Sequence, residues 1–189
     1  MSTNLILGLI LLALAGYVIR VFNRLVRARN QVHVAWSDVD VQLQRRHDLV
    51  PMLVETVRGY AHHESGLLER ITEERSHARS ARDVAERSEK ETALGLDLDR
   101  LIALREAYPD LKASDNFRQL SAQLVEVEDA LQHARRFYNG SVRQYNTDIQ
   151  RFPDFLIARI TGFHDADFFS AQTDARANVQ VDLDPEQGR

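Results

Sequence analysis

FRQLSAQLVEVEDALQHARRFYNGSVRQYNTDIQRF, residues 117–152, is the stretch that decides the fold class. Phe117, Leu120, Leu124, Val127, Leu131, Ala134, Tyr138, Tyr145, Ile149 and Phe152 recur at steps of three and four, or at seven. An α-helix turns once in about 3.6 residues, so this spacing gathers them on one stripe, the seam a helix packs against its neighbours. Similar stripes lie upstream. Leu25, Ala28, Val32, Trp36, Val39 and Leu43 make one; Val50, Leu53, Val57, Tyr60, Leu67 and Ile71 make another, with Glu64 at a stripe position. Leu94, Leu98 and Leu101 mark a shorter third.

Local signals divide these stripes. Arg45-Arg46-His47 reads as a turn, because Asp48 can cap a helix whose first turn tolerates Pro51. Tyr108-Pro109 ends the third helix, and Ser114 or Asp115 caps the fourth. Residues 86–91 are the least marked boundary. Short connections favour antiparallel neighbours, so the expected fold is all-α, an up-and-down antiparallel four-helix bundle. The composition agrees: 28% of residues are charged, 44% hydrophobic, and only eight of 189 are glycine, a balance suited to amphipathic helices.

Ahead of the bundle, residues 5–19 read LILGLILLALAGYVI without a charge. Crossing a hydrocarbon core takes roughly 20 apolar residues, so this run is short, with Arg20 placed to snorkel outward. Leu5, Ile6, Leu9, Leu12, Tyr17 and Ile19 are the anchor residues. Ala13-Leu14-Ala15 resembles a signal-peptidase site, yet a signal peptide carries its positive charge first. Here Arg20, Arg24, Arg27 and Arg29 all follow the apolar run. That bias predicts an uncleaved single-pass anchor in the cell (inner) membrane, with the amino terminus outside and the helical domain cytoplasmic. The expected organisation is an anchor at 1–22, a bundle at 23–169 and a disordered tail at 170–189.

An antiparallel fourth helix returns the chain to the membrane. There, PDFLIARITGF predicts a short amphipathic helix. Phe155, Leu156, Ile160 and Phe163 form a candidate interfacial segment, with Arg151 and Arg159 at headgroup level. The alternative packs it under the bundle. Two asparagine pairs share a heptad spacing: Asn23 with Asn30, and Asn139 with Asn146, the latter in a repeated Tyr-Asn dipeptide. They are candidates for interhelix polar contacts that fix register, or else they face solvent.

Catalytic and metal motifs are incomplete. His63-Glu64 opens like a zinc-protease helix, but Leu67 occupies the place of the second histidine. Glu74 and His77 form one Glu-x-x-His where a di-iron bundle needs two. His62, His63 and Glu64 are expected to make a polar contact within the bundle. With no cysteine, thiol chemistry is excluded. Arg45, Arg46, Arg135 and Arg136 could suggest nucleic acid, but the net charge of −4 and the lack of aromatic stacking patches argue against it. No cofactor and no enzymatic activity are expected.

Three segments resemble the LemA family: RARNQVHVAWSDVDVQLQRRHDLVPMLVETVRGYAHHE, AYPDLKASDNF and ARRFYNGSVRQYNTDIQRFPDFLIARITGF. The resemblance spans residues 23–169 and implies an anchored helical bundle. It carries no catalytic residues across. Some relatives are associated with the formation of internal membranes. The expected role is therefore a membrane-anchored scaffold that binds lipid and either self-associates or recruits another membrane-associated protein, with membrane shaping as the alternative.

Overall fold

The computed structural model describes residues 2–169, so the tail expected to be disordered lies outside the described residues. The architecture is an antiparallel helical bundle continued by a long amino-terminal helix, and no strand occurs among the described residues. That helix, α1, runs unbroken over Ser2–Arg58; its 57 residues span ~85 Å at 1.5 Å per residue. From Thr3 to Arg20 the side chains are exposed, and burial begins at Val21 and Leu25.

The turn expected at Arg45-Arg46-His47 does not form. Arg46 and His47 are buried mid-helix, and Pro51 sits exposed inside α1. A proline removes the N–H that would bond the carbonyl four residues back, at a usual cost of about 3 kcal/mol. Here that carbonyl belongs to His47, and Arg75 Nε donates to it at 2.7 Å. The vacated acceptor thus gains a partner from another helix, and α1 continues to Arg58. Arg75→Leu is expected to lower stability by about 1–2 kcal/mol, measurable as a shifted urea midpoint of the detergent-solubilised protein. An unchanged midpoint would show that the carbonyl needs no such donor.

The chain instead reverses at Gly59 and Tyr60, followed by a 3-10 turn at His62–Glu64. Helices α2 (Ser65–Ser80) and α3 (Val84–Ala103) then form a hairpin against α1. Their boundary lies at residues 81–83, earlier than the sequence suggests. Asp83 Oδ1 accepts from Glu86 N at 2.8 Å while Glu86 Oε2 accepts from Arg82 N at 2.9 Å, a reciprocal cap. After α4 (Pro109–Ala113), helix α5 (Asp115–Gln150) starts at the expected cap: Ser114 Oγ accepts from Phe117 N at 3.4 Å. Helix α5 descends along nearly the whole bundle portion of α1, and α6 (Asp154–Ile160) follows at its foot.

The core has two storeys. In the upper one, Leu53, Val57, Ile71, Leu94, Leu101, Phe117 and Leu124 bring α1, α2, α3 and α5 together. In the lower one, Leu25, Val39 and Leu43 of α1 meet Leu131, Tyr138 and Val142 of α5. The α2–α3 hairpin reaches down only to the level of Asp40 and Trp36, where Arg87 bonds the first at 2.7 Å and lies 5.9 Å over the second's ring. Below that level, the segment after α6 supplies the missing third wall.

Candidate functional site at the foot of the bundle

Gly162 ends α6 in the left-handed region, φ +73°, a conformation open to glycine without a Cβ penalty. Phe163 N then donates to Ala158 O at 3.0 Å, and the chain turns up the groove between α1 and α5. Residues 163–169 form a strap held mainly through their backbone. Asn146 accepts from Ala166 N at 2.9 Å and donates to Ala166 O at 3.0 Å. Asn139 does the same to Phe169, at 2.9 Å in both directions. Tyr145 donates to His164 O at 2.9 Å, and Tyr138 to Asp167 O at 2.8 Å.

A matching of repeats explains this register. Seven helical residues rise ~10.5 Å, and three extended residues span ~10 Å. A Tyr-Asn dipeptide every seven residues on α5 therefore meets every third residue of the strap. Phe163, Ala166 and Phe169 follow the same step of three and turn inward, the two phenylalanines buried. Burial and the nearby Asp167 push the Tyr138 phenol up to about 12, so it remains a donor throughout the neutral range.

The base of the strap is tied to α1. Asp154, the first residue of α6, is buried; it accepts from Tyr17 Oη at 2.8 Å and pairs with Arg24. Phe163 packs edge-on against Phe22, centroids 5.9 Å apart, with the Arg29 guanidinium 5.2 Å over its ring.

An ionic layer separates the two storeys. Arg46 pairs with Glu91 and also donates to Glu91 O and Glu128 Oε1, both at 3.0 Å, while His47 Nε2 lies 2.8 Å from Glu91 Oε1. Burial alone would raise the Glu91 pKa, but the His47 contact and the Arg46 charge outweigh it and hold it below the ordinary value. The stabilisation is full above the unfolded pKa, ~4.3, and is lost as pH falls through the lower folded one. Acid unfolding below about pH 4, followed by circular dichroism, should thus flatten in Glu91→Gln; an equally steep pH dependence there would exclude Glu91 as its source.

Beside this layer, Arg46, Gly95, Asp99, Glu128, Arg135 and Phe169 line part of a cavity of about 480 Å³. Arg135 stacks 4.5 Å over the Phe169 ring, and burial, with nearby Arg46, pushes its pKa down to about 10. The top of the strap is therefore a wall of this cavity.

The residues named from sequence fall into distinct places. Leu5, Ile6, Leu9, Leu12, Tyr17 and Ile19 line the exposed part of α1. Arg20, Arg27 and Arg29 are exposed, and Arg24 is engaged by Asp154. Phe155, Leu156 and Ile160 face outward, whereas Phe163 packs inward. Asn139 and Asn146 bond the strap rather than a helix, and Asn23 and Asn30 are exposed. His62 and His63 are exposed, and Glu64 instead accepts from Tyr108 Oη at 3.2 Å. Asp154 and Glu91 were not singled out: Glu91 lies in a polar run and Asp154 is an isolated acid between apolar residues, and the partners of each stand 44 or more positions away.

A model of the LemA family matches residues 35–183. Magnetosome protein MamQ 2 of Paramagnetospirillum magneticum is 26% identical over 174 residues, covering 78% of this chain but 64% of the relative, just under two thirds of its length. Magnetosome protein MamQ of Magnetospirillum gryphiswaldense is 24% identical over 195 residues, covering 88% of this chain and 72% of its own. Protein LemA of Metamycoplasma hominis is 29% identical over 161 residues, with 84% and 73% covered.

Proposed function

Since the chain belongs to the LemA family, we propose that it is a membrane-anchored, non-catalytic scaffold that displays its bundle to a second copy or to another membrane-associated protein. The observation carrying this reading is the continuity of α1. One unbroken helix includes the candidate membrane span and then forms a wall of the bundle. A flexible linker would leave a tethered domain free to tumble; a continuous helix fixes which faces stand sideways to neighbours in the same membrane. Val34 and Val41, seven apart and exposed on α1, offer an apolar row for such a neighbour, and a shared membrane raises the effective concentration of copies.

The arginines after the apolar run favour a cytoplasmic bundle. Gentle extraction from native membranes, with mass measurement and crosslinking, tests the scaffold. A reproducible oligomer or partner, weakened by Val34→Asp with Val41→Asp, is the expected result. A lone monomer without crosslinks would sink the reading.

A second reading, organisation of the membrane itself, is favoured by the outward apolar side chains of α6 and by the likeness to relatives named as magnetosome proteins. Overexpression followed by thin-section electron microscopy separates the two, since a pure scaffold leaves membrane shape unchanged.

A further inference from the structure

The exposed apolar surface at the foot of the bundle has a fixed height. Asp154 binds Tyr17 and Arg24, and Phe163 packs on Phe22, so both ends of α6 are tied to the stretch of α1 where charge-free sequence gives way to arginine. The side chains left outside this tether are apolar: Phe152 is 78% exposed and Ile160 84%, with Phe155 and Leu156 beside them. In water, such a cluster on and just before a seven-residue helix would be a liability.

The anchor supplies the complementary deficit. Its fifteen uncharged residues, 5–19, rise ~22 Å as a helix, against a hydrocarbon core of ~30 Å. Apolar surface is thus short by about one and a half turns, and α6 offers it at the level where α1 runs out. Charge points the same way. Residues 20–30 and 143–169 together hold seven arginines against four aspartates, in a chain of net charge −4. One of those aspartates, Asp154, is already engaged by Arg24.

We infer that α6 and Phe152 are embedded in the leaflet on the bundle's side of an anionic bilayer, a second lipid contact that completes the short anchor. Arg151 and Arg159, both exposed, take the phosphate oxygens of anionic headgroups. The contact rests on the anchored reading above, and it adds orientation to attachment. Because α6 leads through Gly162 into the strap, lipid holds the module at two points, the span and α6, and the second is continuous with the base of the groove.

The absence of cysteine makes site-directed spin labelling direct. Single cysteines at Leu12, Phe152, Ile160 and Val125 would be labelled in the full chain, reconstituted in vesicles of phosphatidylcholine with phosphatidylglycerol. Collisions with oxygen and with a water-soluble nickel chelate are then compared. Leu12, Phe152 and Ile160 should favour oxygen several-fold over Val125, which is exposed in the upper storey. Nickel access at Ile160 with Leu12 protected overturns this contact and leaves the anchor standing. Nickel access at both overturns the anchor, and this contact with it.

Strong dipolar broadening between Ile160 labels would assign the patch to a second copy instead of lipid. In vesicles of phosphatidylcholine alone, the Ile160 label should sit shallower. Arg151→Gln with Arg159→Gln should abolish that difference, and equal depth in both lipids for the parent chain would overturn the headgroup assignment.

Discussion

Glu91→Ala should cost about 3–5 kcal/mol of stability, the range for breaking one side of a buried ion pair. In a chain of this size that corresponds to a fall in Tm of roughly 10 °C. The substitution leaves the Arg46 guanidinium, 1% exposed, with only Glu128 as a charged partner, and removes the contact of His47. Glu128 is one-third exposed, so it shares its charge with water and cannot replace a carboxylate sealed beside the guanidinium. Two features work against the full penalty: the adjacent cavity can admit water, and Arg46 can follow Glu128 outward.

The control is Arg46→Met with Glu91→Leu. Replacing both charges with apolar side chains of similar size is often neutral or stabilising, so the double variant should recover most of the loss. Urea and thermal unfolding of the parent, Arg46→Met, Glu91→Leu and the double variant give the coupling directly. If Glu91→Ala unfolds within about 0.5 kcal/mol of the parent, the range of ordinary surface changes, the layer does not hold the two storeys together.

The same residues show where sequence reading stops. Heptad stripes locate the helices because apolar spacing is encoded in side-chain identity, and Ser114 marks the start of α5 because its cap is local. Arg45-Arg46-His47 before Asp48 and Pro51 carries the local chemistry of a turn, yet the helix runs through it. Its support comes from Glu91 and Arg75, brought close only by the fold. Nothing near Pro51 in sequence announces that a donor will reach the carbonyl it leaves.

The Tyr-Asn repeat is an intermediate case. Its period was legible and placed the amides on one face of α5. Its partner is a backbone, and a backbone has no signature in residue identity. The faint sign is in the strap, where Phe163, Ala166 and Phe169 keep a step of three against the helix's step of seven.

That repeat yields the other large effect. Asn139→Ala with Asn146→Ala removes four hydrogen bonds to the strap. At about 0.5–1.5 kcal/mol net for each, the strap should lose roughly 2–6 kcal/mol of its hold. The loss should appear locally, because the strap can lift without unfolding α2 and α3. Amide exchange at Ala166 and Phe169 is expected to accelerate by on the order of a hundredfold, with protection in the upper storey unchanged. Tyr138→Phe or Tyr145→Phe, each deleting one bond, should give a smaller acceleration at the same amides.

Uniform acceleration throughout the protein would instead make the strap part of a single cooperative unit. Unchanged exchange would mean that Phe163 and Phe169 alone hold it. The local outcome carries a consequence for the cavity: Phe169 covers the Arg135 guanidinium, so lifting the strap returns that cation to water. Its pKa should then rise from about 10 toward the ordinary arginine value, because the burial that lowers it is gone. A Phe169→Ala variant separates the two effects. It uncovers Arg135 while leaving both asparagine clamps their backbone partners.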